Sequence, residues 1–191
     1  NFLQFHGFYI LIFYVVVFLG LPLTSHAEVL INEVAWMGTT VNANDEWIEL
    51  YNDGTSSVSL DGWVLTDNVS FSINLSGTLG SGEYGLLERT DDTTVVGKIA
   101  LLIYTGALAN DGRTLTLKRS DTATEDEVVG GENWENIGGD NITKATPQRT
   151  QSGWTTGTGT PGIQNVSSGD VSGTQDTDDT EVQESSSGSS N

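Results

Sequence analysis

Apolar and polar residues alternate with a spacing of two along much of the chain. The clearest case is the segment 46–51 (EWIELY), which places Trp47, Glu49 and Tyr51 on one side. Alternation of this length predicts a strand with two distinct faces. Similar runs predict further strands at 29–31, 57–60, 62–66, 71–75, 84–88, 99–104, 114–118 and 127–129.

Turn-forming residues separate these runs. Examples are Asn52-Asp53-Gly54, Asp61-Gly62, Ser81-Gly82 and Asn110-Asp111-Gly112, which tolerate positive φ. Apolar residues at helical spacing are not sustained over three turns anywhere, so no long helix is predicted. Short strands about 8–12 residues apart, with turns between them, are typical of an all-β sandwich or barrel.

The N-terminal segment has a different pattern. Residues 8–23 (FYILIFYVVVFLGLPL) are almost entirely apolar, and residues 1–27 contain no Asp, Glu, Lys or Arg. Ser25-His26-Ala27 has small residues on either side of His26, which fits a secretory signal peptide over 1–27 that is cleaved after Ala27. The alternative is an uncleaved N-terminal membrane anchor. Either reading predicts export through the secretory route and an extracellular or cell-surface location.

The C-terminal segment, 166–191, has the composition of a disordered tail or linker. It holds eight Ser, three Gly, three Thr and six acids, with no aromatic and no basic residue. Such a segment cannot bury enough apolar surface to offset the entropy lost on ordering. The sequence therefore predicts one folded domain over 28–165 between a leader and a tail.

Charge and cysteine content narrow the function classes. The chain has 7 Lys+Arg against 26 Asp+Glu, a formal charge of −19, and no Cys. Nucleic-acid binding needs clustered basic residues, so no nucleic-acid partner is predicted. Without Cys there is no disulfide framework, thiolate metal site or cysteine nucleophile. Both histidines, His6 and His26, lie in the leader, which leaves the domain without an imidazole base.

A series of short blocks runs through the predicted domain. The blocks are VLINEVAWMG (29–38), DEWIELYN (45–52), VSLDGWVLTD (58–67), GEYGLLER (82–89), LANDG (108–112), LTL (115–117), GW (153–154), TPG (160–162) and Asn165. In this order they resemble the lamin tail domain family in its bacterial, secreted form. The resemblance implies an immunoglobulin-like β-sandwich that acts as an interaction module, with no characteristic catalytic activity. Nuclear lamins use the domain to contact proteins and chromatin, but the acidic charge of this chain does not suit contact with DNA.

The tryptophans divide into two groups. Trp36, Trp47 and Trp63 lie in or beside predicted strands, which favours positions in the core or at the sandwich edge. Trp134 and Trp154 lie in a region rich in Gly, Asn and Thr with few apolar neighbours. Exposed aromatic residues on loops are typical contacts for a glycan or peptide, so these two are the predicted ligand-binding candidates.

Acidic residues suggest two further kinds of site. Glu33, Glu46 and Glu49 could be paired catalytic carboxylates, but acids on strands usually occupy the solvated face of a sandwich, and we predict no catalytic residue. No cofactor is predicted either, apart from a weak possibility of calcium, whose oxygen ligands could come from two acidic segments. Those ligands would be Asp91, Asp92, Asp121, Glu125, Asp126 and Glu127.

These patterns together predict a non-enzymatic binding module of a secreted or cell-surface protein. Its partner would be an extracellular protein or glycan, with membrane contact only through an uncleaved N-terminal segment. Two alternatives stay open. The domain could be an accessory part of a larger secreted hydrolase whose catalytic part is missing from this chain, or it could be a structural spacer of the cell envelope.

Overall fold

A computed structural model describes residues 28–166 of the chain. The predicted signal peptide, its cleavage after Ala27 and the predicted tail, apart from Val166, lie outside the described residues. Within 28–166, no helix is long and apolar enough to cross a membrane. The regular structure of this part consists of strands and one short 3-10 turn, Glu132–Trp134.

The described part of the chain contains twelve strands. They are β1 (Val29–Ala35), β2 (Trp47–Asn52), β3 (Val58–Ser59), β4 (Val64–Thr66), β5 (Ser72–Asn74), β6 (Thr78–Leu79), β7 (Tyr84–Arg89), β8 (Leu102–Tyr104), β9 (Thr114–Lys118), β10 (Thr124–Val129), β11 (Thr146–Thr150) and β12 (Gly153–Gly157). The predicted strands all have counterparts in this series, whereas β6, β11 and β12 were not predicted.

The strands form two main sheets. The first has six strands in the order β12-β11-β1-β2-β7-β8, and the second has four in the order β10-β9-β4-β5. A short pair, β3 and β6, forms a third sheet. Neighbouring strands are antiparallel except β7 and β8, which run parallel. The predicted all-β, immunoglobulin-like sandwich is confirmed, because two largely antiparallel sheets enclose one core.

The core consists of alternate residues from the strands, which point into the space between the sheets. Ile31, Ile48, Leu50, Leu65 and Leu117 are completely buried there. The rings of Trp36, Trp47 and Trp63 are each less than 10% exposed, as predicted. Trp47 lies on the same face of β2 as Glu49, and Gly159 packs against its ring. Burial of this apolar area is the main force holding the two sheets together.

Candidate functional site

The outward face of the six-stranded sheet carries two neighbouring rows of side chains. In one row, Leu30 of β1, Tyr51 of β2 and Tyr84 of β7 are aligned across the sheet. In the next row, Glu33 of β1 is paired with Glu49 of β2. An irregularity in β1 just before Glu33 turns this residue to the same face as Leu30. The core residues between these positions point to the opposite face.

Glu33 is fully buried and surrounded by hydrogen-bond donors. Thr160 donates its hydroxyl to Glu33 Oε2 at 3.0 Å and its backbone N–H to both carboxylate oxygens at 3.1 Å. The Thr146 hydroxyl and, at 3.3 Å, Gln148 Nε2 also donate to this carboxylate. Burial raises the pKa of Glu33, and these hydrogen bonds offset part of the rise.

Glu49 is buried as completely as Glu33. Its carboxylate accepts hydrogen bonds from Asn32 Nδ2 at 2.8 Å and from the backbone N–H of Gly162. Burial raises the pKa of Glu49 to about 7, and the neighbouring charge of Glu33 adds to the rise. We call Glu33 and Glu49 the carboxylate pair. Near neutral pH, Glu49 therefore exists in both its protonated and its ionised form.

The segment 158–165, here called the closing segment, follows β12 and covers the carboxylate pair. Thr160 and Gly162 supply hydrogen bonds to the pair, as described above. Asn165 Nδ2 donates to the carbonyl oxygens of Asn32 at 3.0 Å and Arg149 at 2.9 Å. Sequence blocks that lie more than 100 residues apart thus meet at one buried polar cluster.

The expectation that the strand acids lie on a solvated face is wrong. Glu33 and Glu49 are 0% exposed and Glu46 is 4% exposed. The closing segment covers the first two, while Glu46 accepts hydrogen bonds from the Leu108 N–H at 2.7 Å and from Arg89 at 3.0 Å. All three carboxylates therefore bond to donors of the protein and are shielded from solvent.

A groove of about 820 Å³ opens beside the covered pair, on the same face of the sheet. We call it the binding groove. Its walls come from four strands, from the turn after β11 and from the end of the closing segment. The lining residues are Leu30, Asn32, Tyr51, Asp53, Tyr84, Arg149, Thr150, Gln151, Ser152, Gln164 and Asn165.

The groove combines a rigid aromatic pair with polar groups that lack partners. The rings of Tyr51 and Tyr84 stack with centroids 4.7 Å apart. Among the described residues, the phenol oxygens of these tyrosines and the side-chain amides of Gln151 and Gln164 form no hydrogen bond within the protein. Both glutamines are exposed and both tyrosines are half-buried. The groove therefore offers an amphipathic wall and several hydrogen-bonding groups to a ligand.

Trp134 does not lie where the sequence suggested. The expectation that it is an exposed loop residue is wrong, because its side chain is 0% exposed. Its ring stacks on Trp36 with centroids 6.1 Å apart, and its Nε1 donates to the carbonyl oxygen of Ala109 at 2.8 Å. Two polar turns, 109–112 and 130–134, pack against each other and enclose the indole, which therefore has no ring face left for a ligand.

Trp154 is half-buried and lies on β12, the edge strand of the six-stranded sheet, rather than on a loop. The guanidinium of Arg149 lies 5.4 Å from the centre of its ring. Arg149 in turn lines the binding groove and forms a bidentate pair with Asp126, at 2.9 and 3.2 Å. Trp154 thus supports one wall of the groove from behind without lining it.

Five of the six predicted calcium ligands have other roles in this structure. Asp91, Asp92 and Asp121 cap turns by accepting backbone N–H groups of Thr93, Ala100 and Ala123. Glu125 accepts the N–H groups of Glu28 and Val29, Asp126 binds Arg149, and Glu127 is exposed. Within residues 28–166, no three His, Cys, Asp or Glu side chains converge in a way that could hold a metal ion.

The comparison with protein families agrees with the fold and with the sequence blocks. The model of the lamin tail domain family matches residues 22–143. The chain belongs to the lamin tail domain family. This family is a β-sandwich interaction and structural module with an immunoglobulin-like fold. A comparison with curated proteins finds no match for the chain.

The domain of this lamin tail family member continues past the matched region. β11 and β12 follow residue 143, and β11 lies between β12 and β1 inside the six-stranded sheet. The closing segment follows β12. Both the buried carboxylate pair and one wall of the binding groove therefore depend on residues beyond the family match.

The binding groove was not predicted from the sequence, although the strand pattern indicates the position of one of its residues. The alternation in 46–51 already places Tyr51 on the same face as Glu49. Gln151 and Gln164 carry no such signal, because glutamines in polar stretches occur on many loops. The pairing of Tyr51 with Tyr84 depends on strand register, which one strand's pattern does not define.

Proposed function

We propose that this lamin tail domain is a non-enzymatic binding module of a secreted or cell-surface protein, and that it binds an extracellular protein or glycan through the binding groove. The observation that carries the proposal is the groove itself. It lies on a rigid sheet face, and its phenol and amide groups lack partners among the described residues. Binding sites are typically concave surfaces with a few well-placed polar groups of this kind. The apolar leader in 8–23 supports the extracellular setting.

The charge of the chain does not favour nucleic acid as a partner. Every arginine of the chain, Arg89, Arg113, Arg119 and Arg149, pairs with a carboxylate. The groove contains one arginine and one acid, and the chain as a whole has a formal charge of −19. Phosphate-bearing partners would meet long-range repulsion without a basic patch to offset it.

The test is a binding array of glycans, peptidoglycan fragments and envelope proteins, probed with the full chain. A double variant, Tyr51→Ala with Tyr84→Ala, removes the aromatic wall of the groove. Val41→Ala is the matched control, because Val41 is 90% exposed on the loop between β1 and β2, outside the groove. The proposal predicts reproducible binding by the parent and the control that is lost in the double variant. Silence across the array would favour a structural spacer instead.

A further inference from the structure

We propose that the ligand of the binding groove is a neutral oligosaccharide. This inference rests on the proposed function and narrows it to one class of ligand. Tyr51 and Tyr84 would contact the ligand through their rings, and Gln151 and Gln164 would hydrogen-bond to its hydroxyl groups.

The lining chemistry of the groove fits a sugar chain. Sugar rings have apolar C–H faces and rims of hydroxyl groups, and they need both aromatic surface and groups that donate and accept hydrogen bonds. The stacked tyrosines provide rigid aromatic surface with a polar tip. Side-chain amides both donate and accept, so Gln151 and Gln164 can serve hydroxyl groups in either direction. The hydroxyls of Thr150 and Ser152 at the rim bond to each other, and Thr150 also bonds to the Gly153 carbonyl oxygen, so the two glutamines are the main polar groups offered to the ligand.

An extended peptide cannot add to the sheet at this place. The groove lies over β11, β1, β2 and β7, which are all inner strands of the six-stranded sheet. β1 and β11 pair only at Glu33 and Gln148, and beyond this point the N–H groups of Val29 and Ile31 bond to the carboxylates of Glu125 and Asp126. These backbone donors of β1 are therefore not available to a peptide. Strand addition needs an open sheet edge. A peptide in the groove would thus lack the backbone hydrogen bonds that usually give such complexes their affinity.

Charge favours a neutral over an anionic sugar. Arg149 lines the groove, but its guanidinium is held by Asp126 and lies over the ring of Trp154. A uronic acid or phosphorylated sugar would therefore face a compensated arginine and an acidic domain. A neutral chain avoids this repulsion and still uses the side-chain amides of Gln151 and Gln164.

The experiment is titration calorimetry of the full chain with two sets of hexasaccharides. The neutral set contains oligomers of glucose, galactose, mannose, xylose and N-acetylglucosamine, and the acidic probe is hexagalacturonate. We expect heat of binding from at least one neutral oligomer. Tyr84→Ala and Gln164→Ala should each weaken that binding about tenfold, while Val41→Ala leaves it unchanged. Because Gln164 is an exposed residue of the closing segment, its variant tests the groove even if Tyr84→Ala perturbs folding.

Three results would overturn the inference: binding of the acidic probe alone, neutral binding that survives in both groove variants, or no neutral binding at all. The array distinguishes this failure from a failure of the proposed function. The neutral oligomers could fail to bind while an envelope protein binds, with that binding lost in the double tyrosine variant. In this case the sugar inference fails and the proposed binding module stands. If the array is silent as well, both fail.

Discussion

Replacing Thr160 by valine tests how the closing segment is held. Valine has nearly the shape of threonine but lacks the hydroxyl, which lies 3.0 Å from Glu33 Oε2 and 2.8 Å from Asn165 Oδ1. Both of these contacts are oxygens, and the hydroxyl has a single proton. The hydroxyl can therefore donate to Glu33 or to Asn165 Oδ1, and it is shared between these two acceptors.

The loss of stability expected for Thr160→Val follows from the polar groups that lose their hydrogen bond to the hydroxyl. Asn165 Oδ1 loses its hydrogen bond from the hydroxyl, and the fully buried Glu33 loses one of its contacts. A lost hydrogen bond costs about 1 kcal/mol, and a buried polar group without a partner costs about 1–3 kcal/mol. We therefore expect the free energy of unfolding to fall by about 2–3 kcal/mol. Thr158→Val is the matched control, because Thr158 is an exposed threonine of the same segment, and its cost should stay within about 0.5 kcal/mol.

Urea denaturation of the full chain, followed by tryptophan fluorescence, measures this difference. With a slope of about 2 kcal/mol per molar urea, Thr160→Val should lower the midpoint by roughly 1 M. If the closing segment opens locally instead, hydrogen exchange at the amides of residues 160 and 162 should accelerate by about 30-fold. Equal urea midpoints for Thr160→Val and Thr158→Val, together with equal exchange rates, would refute the proposed role of the hydroxyl.

Three further predictions concern the carboxylate pair and the fold. Folding raises the pKa of Glu49 from 4.5 to about 7, so between pH 4.5 and 7 the native state binds more protons than the unfolded state. The free energy of unfolding should therefore fall by up to about 3 kcal/mol as the pH rises from 4.5 to 7. Glu49→Gln should flatten this slope in urea titrations at several pH values, and an unchanged slope would contradict the assignment. Removing residues 144–191 deletes β11, β12 and the closing segment. Circular dichroism of the shortened chain should therefore show no cooperative thermal transition. A transition like that of the parent would be incompatible with this topology. Gly112→Ala should lower the melting temperature by several degrees in calorimetry. Gly112 has φ +82, and an added Cβ would overlap the Gly131 carbonyl oxygen. A melting temperature equal to the parent's would show that this turn is not tightly packed.

The strands that could be predicted are those with a clear apolar pattern. β2 alternates over its whole length, and β9 alternates between Thr and Leu within TLTLK. β11 (TPQRT) and β12 (GWTTG) have almost no apolar residues, although they complete the six-stranded sheet. They are held mainly by backbone pairing and by polar side chains such as Gln148, which a hydrophobic pattern does not detect.

The buried acids could not be predicted from local sequence. Glu33 and Glu49 look like the outward residues of half-exposed strands, and they do point away from the core. They are buried because the closing segment, more than 100 residues further along the chain, folds back over them. The blocks Thr160-Pro161-Gly162 and Asn165 marked this segment in the sequence, but only the structure shows what it covers.

The burial of Trp134 has a similar explanation. Local composition suggested an exposed loop, because its neighbours are Gly, Asn and Glu. The partners that bury it, Trp36 and the turn at Ala109, come from distant parts of the chain. Local polarity is thus a weak guide where two turns pack against each other.

Amide chemical-shift mapping of the full chain, titrated with the ligand that the binding array identifies, is the most direct test of the binding groove. We expect the largest shifts at Tyr51, Tyr84, residues 149–152 and Gln164, which line the groove. Shifts confined to the opposite end of β1, at residues 39–41, 94–96 and 142–144, would contradict it and place the binding site elsewhere on the domain.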